Sequence, residues 1–358
     1  MTTAAMPSTT VEWVTDPARF AALATAWDAL AEQEGTPFLR HAWLNAWWDA
    51  FGAGRGDLRV CALWRRDELI AGLPLLARGR RLEGLADYHS PRFGAVARDK
   101  GARAALAREL RGRVVLPALD GDDPLLGLLN ARGGRIVEPF AVSPYVDTTG
   151  EWDAYRSATK SRWGAPLERF RRKMVREHGA TFELVTAPVD LEPVLERGFV
   201  VEASGWKGRE GTAILSTPET TAFYGAIARA FQASGELRLS WLELDGQMAA
   251  FDLCLLHGER LYLLKTGYDE AHRRLAPGLV LRLSVLERCF EMGLRTHELL
   301  GGEDAWKLKF ATGERRHVTL RCFGRDPAAR SAYAYRRWAR PVLRSAYRRA
   351  RAARAATA

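Results

Sequence analysis

The chain has 358 residues, of which 47% are hydrophobic, 10% aromatic and 27% charged. Those proportions exclude a disordered or collagen-like chain, the length suggests two domains of roughly 150 residues, and no apolar run nears the roughly 20 residues of a membrane span. Net charge is +10, yet nine arginines and no acid lie between Pro327 and Ala358, so the rest of the chain carries about +1.

A body so close to neutral argues against the whole protein being a nucleic-acid binder; the basicity is a terminal appendage. Four cysteines (Cys61, Cys254, Cys289, Cys322) show no CxxC spacing, which speaks against zinc or a disulfide framework. The opening MTTAAMPSTT has no basic n-region or apolar core, so a cytoplasmic location is the expectation.

In chain order, the first half opens with a strand, Val11 to Val14. Asp16 then caps a helix with Pro17 at its first position. Phe20, Leu23, Trp27 and Leu30 fall at helical spacing. A second helix, His41 to Phe51, carries an aromatic stripe (Trp43, Trp47, Trp48, Phe51) that reads as core packing.

A hairpin follows: Arg59 to Arg65, a turn at Arg66-Asp67-Glu68, then a strand from Leu69. A second hairpin, Arg238 to Leu244, Asp245-Gly246 and Gln247 to Leu255, looks like the first. In each the turn aspartate stands four residues before an alanine (Asp67 to Ala71, Asp245 to Ala249). One supersecondary plan used twice is the expectation.

The second half starts near Gly150. Its helices are read at Glu151–Thr159, Ser161–Glu177, Asp190–Glu202 and Pro218–Ala233. Its strands are read at Thr181–Thr186, Glu236–Leu244, Met248–His257 and Leu261–Gly267, the last three as an antiparallel meander. His257 lies at a hairpin turn and is expected to be solvated. A loop from Tyr268 to Pro277, a helix from Gly278 to Met292, a strand at Thr296–Leu300 and another at His317–Phe323 complete the half. This is mixed α/β (α+β) with largely antiparallel sheets, without the alternation of a Rossmann domain.

There is no GxSxG, HExxH, Walker or GxGxxG motif, and no histidine pair at metal spacing, so no metal is expected. The most suggestive stretch runs from Leu261, where a strand feeds a loop bearing Arg273, Arg274, Ala276, Pro277 and Gly278. A helix then begins at once through Leu279. A helix start offers unpaired amides and a positive dipole end, and arginines add charge-assisted bonds, a combination that suits a pyrophosphate. Pro-Gly at a helix start is also a common structural device.

This segment resembles the acyl-CoA loop of GNAT-fold N-acetyltransferases, Gln/Arg-x-x-Gly-x-Gly/Ala, matched here as Arg273-x-x-Ala276-x-Gly278 with alanine for the first glycine. More of the chain is similar to the cellulose-biosynthesis (CelD/BcsL-type) acetyltransferases, relatives of the FemAB peptidyltransferases. The matching stretches are Leu167-Glu-Arg-Phe-Arg-Arg-Lys, Ser204-Gly-Trp-Lys-Gly-Arg-Glu-Gly-Thr-Ala, Ala276-Pro-Gly and Gly301-Gly-Glu-Asp-Ala-Trp-Lys, in order over about 150–323. The resemblance implies two tandem GNAT-like (acyl-CoA N-acyltransferase) halves. They would be a degenerate half at 11–149 and an acetyltransferase domain at 150–325, followed by an Arg-rich helical tail at 326–358.

The resemblance also implies acetyl-CoA as acyl donor, bound at Arg273, Arg274, Ala276, Pro277, Gly278 and Leu279, and an amine or hydroxyl acceptor of unknown identity. Because clefts at domain interfaces are favoured sites, the acceptor is expected between the halves. FemAB-like enzymes carry an aromatic–Lys pair where Trp306-Lys307 stands. Lys307 would steady an oxyanion and Asp304 would position or deprotonate an amine. The plain alternative for Lys307 is a surface lysine at a strand start. Trp206 and Lys207 would line the acceptor cleft or simply stop a helix. Asp252, in an apolar strand, is either a buried base with a raised pKa or a solvent-facing residue.

The basic helix from Ser161 reads as a solvated face or as a groove for an anion. The tail sets Tyr335, Trp338, Val342 and Leu343 among arginines, a pattern that suits an anionic membrane surface at the inner face, an RNA backbone, or packing on the body. Two other functions fit the same sequence. One is aminoacyl transfer from charged tRNA, the other a non-catalytic scaffold for polysaccharide assembly.

Overall fold

The computed structural model describes residues 9–129, 133–159 and 163–340. The chain divides into two compact units. The first comprises residues up to Glu34, Gly54–Phe140 and the stretch from His317; the second comprises Gly35–Ala53 and Ala141–Arg316. The halves expected at 11–149 and 150–325 are therefore crossed by two exchanges. Residues 35–53 go with the second unit because Trp43 packs edge-on against Phe223 and Phe231 there, at 5.3 and 6.5 Å between ring centres.

The described part of the tail goes with the first unit. Asp326 caps helix Pro327–Ala334, Tyr333 packs on Phe323, and Arg321, Arg336 and Arg340 converge on Glu138 at 2.8, 3.5 and 3.3 Å. Val342, Leu343 and the arginines beyond Arg340 lie outside the described residues.

In the first unit, strands Thr9–Val14, Val60–Arg65, Glu68–Leu73 and Val96–Ala97 form an antiparallel sheet in that order. Strand Arg81–Gly84 runs parallel to Arg113–Asp120 over three residue pairs, Arg81 to Glu83 against Arg113 to Val115, with helix Lys100–Glu109 between them in sequence. The core gathers Cys61, Leu63, Ile70, Leu73, Phe93, Leu106, Leu116 and Leu320.

We label the elements of the second unit in chain order: α1 (His41–Trp47), α2 (Trp152–Thr159), α3 (Ala165–His178), β1 (Thr181–Thr186), α4 (Leu191–Ala203), α5 (Trp206–Arg209), α6 (Pro218–Ala233), β2 (Leu237–Leu244), β3 (Gln247–His257), β4 (Arg260–Tyr268), α7 (Pro277–Glu291), β5 (Thr296–Glu298) and α8 (Ala305–Phe310). Strands β1 to β4 pair antiparallel in sequence order, and β5 joins β4 in parallel. On its other edge β5 meets Tyr145–Asp147.

The duplication read from the two hairpins is visible in their registers. Each hairpin carries an extra residue in its second strand just past the turn: Ile70 between the pairs Leu63–Ala71 and Trp64–Leu69, Ala249 between Leu242–Ala250 and Glu243–Met248. Each unit then places a strand, a helix and a short parallel strand pair after its hairpin. Three residue pairs, Arg260 to Tyr262 against Thr296 to Glu298, form that pair in the second unit, as three do in the first.

Two readings change, and the basic helix keeps its solvated face. Lys307 is not at a strand start: α8 occupies Ala305–Phe310, and the following strand begins at Gly313. His257 is not solvated: it is buried, with Nδ1 2.6 Å from Glu236 Oε1. The basic helix, described from Ala165, buries Leu167 and Met174, and Arg171 reaches Glu287 on α7, while Arg169, Arg172, Lys173 and Arg176 are exposed.

Candidate active site in the second unit

The site grows out of one fork. Strands β4 and β5 pair for only three residues, after which β5 ends at Glu298 while β4 continues to Tyr268, so among the described residues the β5-facing edge of β4 has no strand partner from Leu263 onward. A bulge at Leu264, between the pairs Cys254–Leu263 and Leu253–Lys265, sharpens the divergence. An unpaired strand edge offers alternating N–H and C=O groups to an extended ligand that carries amides of its own. In the first unit the corresponding position is filled. Phe93 is buried, its N–H donates to Ala118 O at 2.8 Å, and its ring lies 2.6 Å from where a Gly84 Cβ would be.

Helix α7 starts at the open end of β4. Asp269 caps the turn Glu270–Leu275 by accepting from Ala271 N at 2.9 Å, and Ala276 then takes the left-handed conformation, φ 54° and ψ 50°. That is the backbone a glycine adopts without cost and an alanine adopts at roughly 1–2 kcal/mol. Ala276 O accepts from both Leu279 N and Val280 N at 3.0 Å, and Pro277 has no N–H, so among the described residues the Gly278 amide is the one the helix start leaves open. A Cβ on Gly278 would sit 3.3 Å from the Tyr268 ring. Arg273 and Arg274 are exposed on the preceding turn. Arg273, Arg274, Ala276, Pro277 and Gly278 thus lie at one helix end.

A second cluster surrounds Lys207. Glu202 on α4 is buried and lies under β4 so closely that a Cβ on Gly267 would stand 2.3 Å from Glu202 Cα; only glycine fits there. The Glu202 carboxylate accepts from Ile214 N at 2.8 Å and from Lys207 Nζ at 3.3 Å, and Lys265 Nζ stands 3.8 Å away. Lys207 also donates to Thr266 O on β4 at 2.6 Å. Its neighbour Trp206 is exposed at the start of α5, a separate short helix rather than the end of the preceding one. Arg209, on the same turn, holds Glu270 through two bonds of 2.7 and 2.9 Å.

Lys307 is buried. Its ammonium donates to Leu300 O at 2.8 Å and Gly302 O at 3.4 Å, and pairs with Asp304 Oδ2 at 2.9 Å. Burial, with the nearby Lys207 and Arg282 charges, pulls its pKa down against the opposing pull of Asp304. The Trp306 ring lies beneath both the Arg282 and Lys307 cations, at 5.9 and 5.6 Å.

Asp252 points into the core and not to solvent. Its Oδ2 accepts from Arg282 Nη2 at 2.6 Å, and burial pushes the carboxyl up while the guanidinium pulls it back. Arg282 Nη1 also donates to His297 Nε2 at 2.6 Å, while His297 Nδ1 donates to Leu261 O at 3.1 Å, an arrangement that fixes one neutral tautomer. Burial and the adjacent guanidinium hold His297 well below the ordinary histidine range. Sequence reasoning missed Arg282, His297, Glu202 and Lys265. The available signal was a lone arginine within the apolar helix run LVLRLSVL and a lone aspartate within an apolar strand, two isolated charges that need each other.

Residues 165–308 match the Acetyltransferase (GNAT) domain family. The fold of the second unit is that of a GNAT-type acyltransferase, and the chain is two tandem GNAT-like halves with mixed, mostly antiparallel sheets. No curated protein matches the sequence.

Among solved structures, the C-terminal domain (DUF2156) of an Agrobacterium fabrum protein named as a lysylphosphatidylglycerol synthetase is similar, with a TM-score of 0.55 and 15% identity, over 88% of this chain and 97% of that one. L-PGS from Bacillus licheniformis is similar with a TM-score of 0.51 and 15% identity, over 90% of this chain and 96% of that one. FemX is similar with a TM-score of 0.50 and 12% identity, over 78% and 90%. At these identities the likeness is one of fold.

Among the described residues no three His, Cys, Asp or Glu side chains cluster as metal ligands, and no helix is long and apolar enough to cross a membrane.

Proposed function

We propose that the protein transfers an acyl group, most simply acetyl, from acyl-CoA to an amine or hydroxyl, with the donor held by the second unit. The observation that carries this reading is the β4–β5 fork opening beside the start of α7. The diphosphate of the donor would meet the open Gly278 amide, the helix dipole and the Arg273 and Arg274 side chains. The amide-bearing arm would lie along the bare edge of β4 and bring the thioester carbonyl toward Lys307. The acceptor attacks that carbonyl directly, a C–N or C–O bond forms as the C–S bond breaks, the thiolate leaves, and the surplus proton of the acceptor passes to solvent.

An ammonium whose protons already meet acceptors of its own chain has none for an oxyanion until one contact opens. The 3.4 Å contact of Lys307 to Gly302 O is the weakest of the three, and a substrate oxygen would take its place. Asp304 holds Lys307 in register, and Trp206 with Lys207 would border the acceptor. Asp252 serves as counter-charge to Arg282 and does not touch the reactants.

The matching stretches shared with the CelD/BcsL-type acetyltransferases support a sugar or cell-envelope precursor as acceptor, and a cytoplasmic protein that meets the membrane peripherally through its basic tail. A second reading, aminoacyl transfer from charged tRNA, is favoured by one observation. Ala276 stands where the acyl-CoA loop has glycine, and its amide is already engaged by Arg273 O at 3.1 Å. Calorimetric titration with acetyl-CoA, followed by aminoacylated tRNA in a thermal-shift assay, separates the two. Saturable acetyl-CoA binding supports the first, and stabilisation by charged tRNA alone supports the second.

A further inference from the structure

Three lysines meet around the fork, and their ammonium groups are held very differently. Lys207 Nζ is fixed by Thr266 O at 2.6 Å and by Glu202, and Lys307 Nζ by Leu300 O at 2.8 Å and Asp304 at 2.9 Å. Lys265 Nζ has no such anchor among the described residues. Its nearest acceptor is Thr212 O at a long 3.4 Å, Glu202 Oε1 lies 3.8 Å off, and the Tyr224 ring centre lies at 4.8 Å. An ammonium held by strong acceptors keeps its proton and has no lone pair to offer, whereas a loosely held and largely buried one sheds its proton more readily and then has.

Lys265 stands on β4 itself, three residues past the last β5 pair and immediately after the bulge at Leu264, where the strand edge turns from buried to half-exposed. The groups facing it are Glu202 from α4, Lys207 from α5, Thr212 from the loop after α5 and Tyr224 from α6.

We propose that Lys265 is a self-acylation site of this protein, taking the acyl group from a thioester bound in the fork. The inference rests on the acyl-CoA reading given above. In the step, the neutral ε-amine of Lys265 attacks the thioester carbonyl, an N–C bond forms, the C–S bond breaks, and CoA leaves as thiolate. The surplus proton of the amine passes to solvent, so the products are an amide and free thiol with no further reactant. Burial, against the opposing pull of Glu202 and with the Lys207 charge, lowers the Lys265 pKa to about 8, so about a tenth of the amine is neutral at pH 7. The amide would also discharge Lys265, leaving the buried Glu202 to face Lys207 alone.

The test uses the full-length chain and acetyl-CoA, with intact mass and peptide mapping over time at several pH values. The expected result is a single acetyl adduct on Lys265. Its rate should climb about tenfold per pH unit below about 8 and level above it. The exposed Lys100, Lys173 and Lys309 act as internal controls for solution chemistry.

Lys265→Arg, which keeps the charge opposite Glu202, should lose the adduct. A folded Gly278→Glu variant should lose it too, because the donor is no longer held. Saturable acetyl-CoA binding with no adduct on Lys265, or with adducts spread evenly over the exposed lysines, overturns self-acylation and leaves the donor reading intact. Absence of both binding and adduct overturns both.

Discussion

Arg282, on the helix whose start faces the fork, donates to the Asp252 carboxylate at 2.6 Å with both side chains at 1% exposure. A buried pair of this kind is costly to break and cheap to replace whole. Asp252→Ala should therefore lower unfolding free energy by about 3–5 kcal/mol, because the guanidinium is left without a counter-charge. Asp252→Leu combined with Arg282→Met should recover most of that loss. Urea denaturation of the three proteins decides it; a double variant as unstable as the single one would show that the pair contributes more than mutual neutralisation.

His297 supplies a pH dependence with a definite sign. Folded, it resists protonation because it is buried against Arg282; unfolded, it takes a proton near pH 6.5. Between those two values the unfolded chain binds more protons, so stability is full above about 6.5 and falls as pH drops. The slope from this one group is up to about 1.4 kcal/mol per unit. The difference in stability between wild type and His297→Gln, measured from neutral to mildly acidic pH, should shrink accordingly. A constant difference would mean that His297 takes its proton equally readily in the folded and the unfolded chain, and a difference that grows on acidification that folding favours the protonated form.

Ala276 is strained where the related loop has glycine. Ala276→Gly should raise stability by about 1 kcal/mol and leave acetyl-CoA affinity equal or better. Chemical denaturation and calorimetry read the two effects separately. A destabilised Ala276→Gly would mean that the methyl group, packed at the margin of the core, outweighs the backbone strain.

Lys307→Met should cut acyl transfer by about 10²–10³-fold while changing donor affinity by no more than about twofold, the signature of a group that acts on the transition state. Lys307 also satisfies the carbonyls of Leu300 and Gly302, so the comparison is made at a temperature where circular dichroism shows the variant folded. A variant with weakened donor binding and unchanged turnover would place Lys307 in ground-state binding.

Much of the second unit was legible from residues 181–300. The short turns Asp245-Gly246 and Gly258-Glu259 delimited β2 to β4, and Pro277-Gly278 marked the start of α7. What escaped had physical reasons. Helix α8 is six residues long, and its Trp-Lys-Leu-Lys-Phe reads as an alternating strand until burial shows Lys307 and Phe310 inward at helical spacing. The stripe in α1 announced a buried face, yet nothing local says that its partner is Phe223 of α6. At the candidate site, Lys207 and Lys307 could be named, but the network between them could not. Glu202, Lys265, Arg282 and His297 meet only through sheet register and helix packing, which no single window of sequence contains.

The central claim is that the fork beside α7 holds an acyl-CoA donor. Isothermal titration of acetyl-CoA into the full chain, beside an Arg273→Ala, Gly278→Glu variant shown to be folded, tests it most directly. Saturable one-to-one binding by the wild type, lost in the variant, is the predicted result. A folded wild type that releases no heat with acetyl-CoA, or a variant that binds as well as the wild type, would contradict the account.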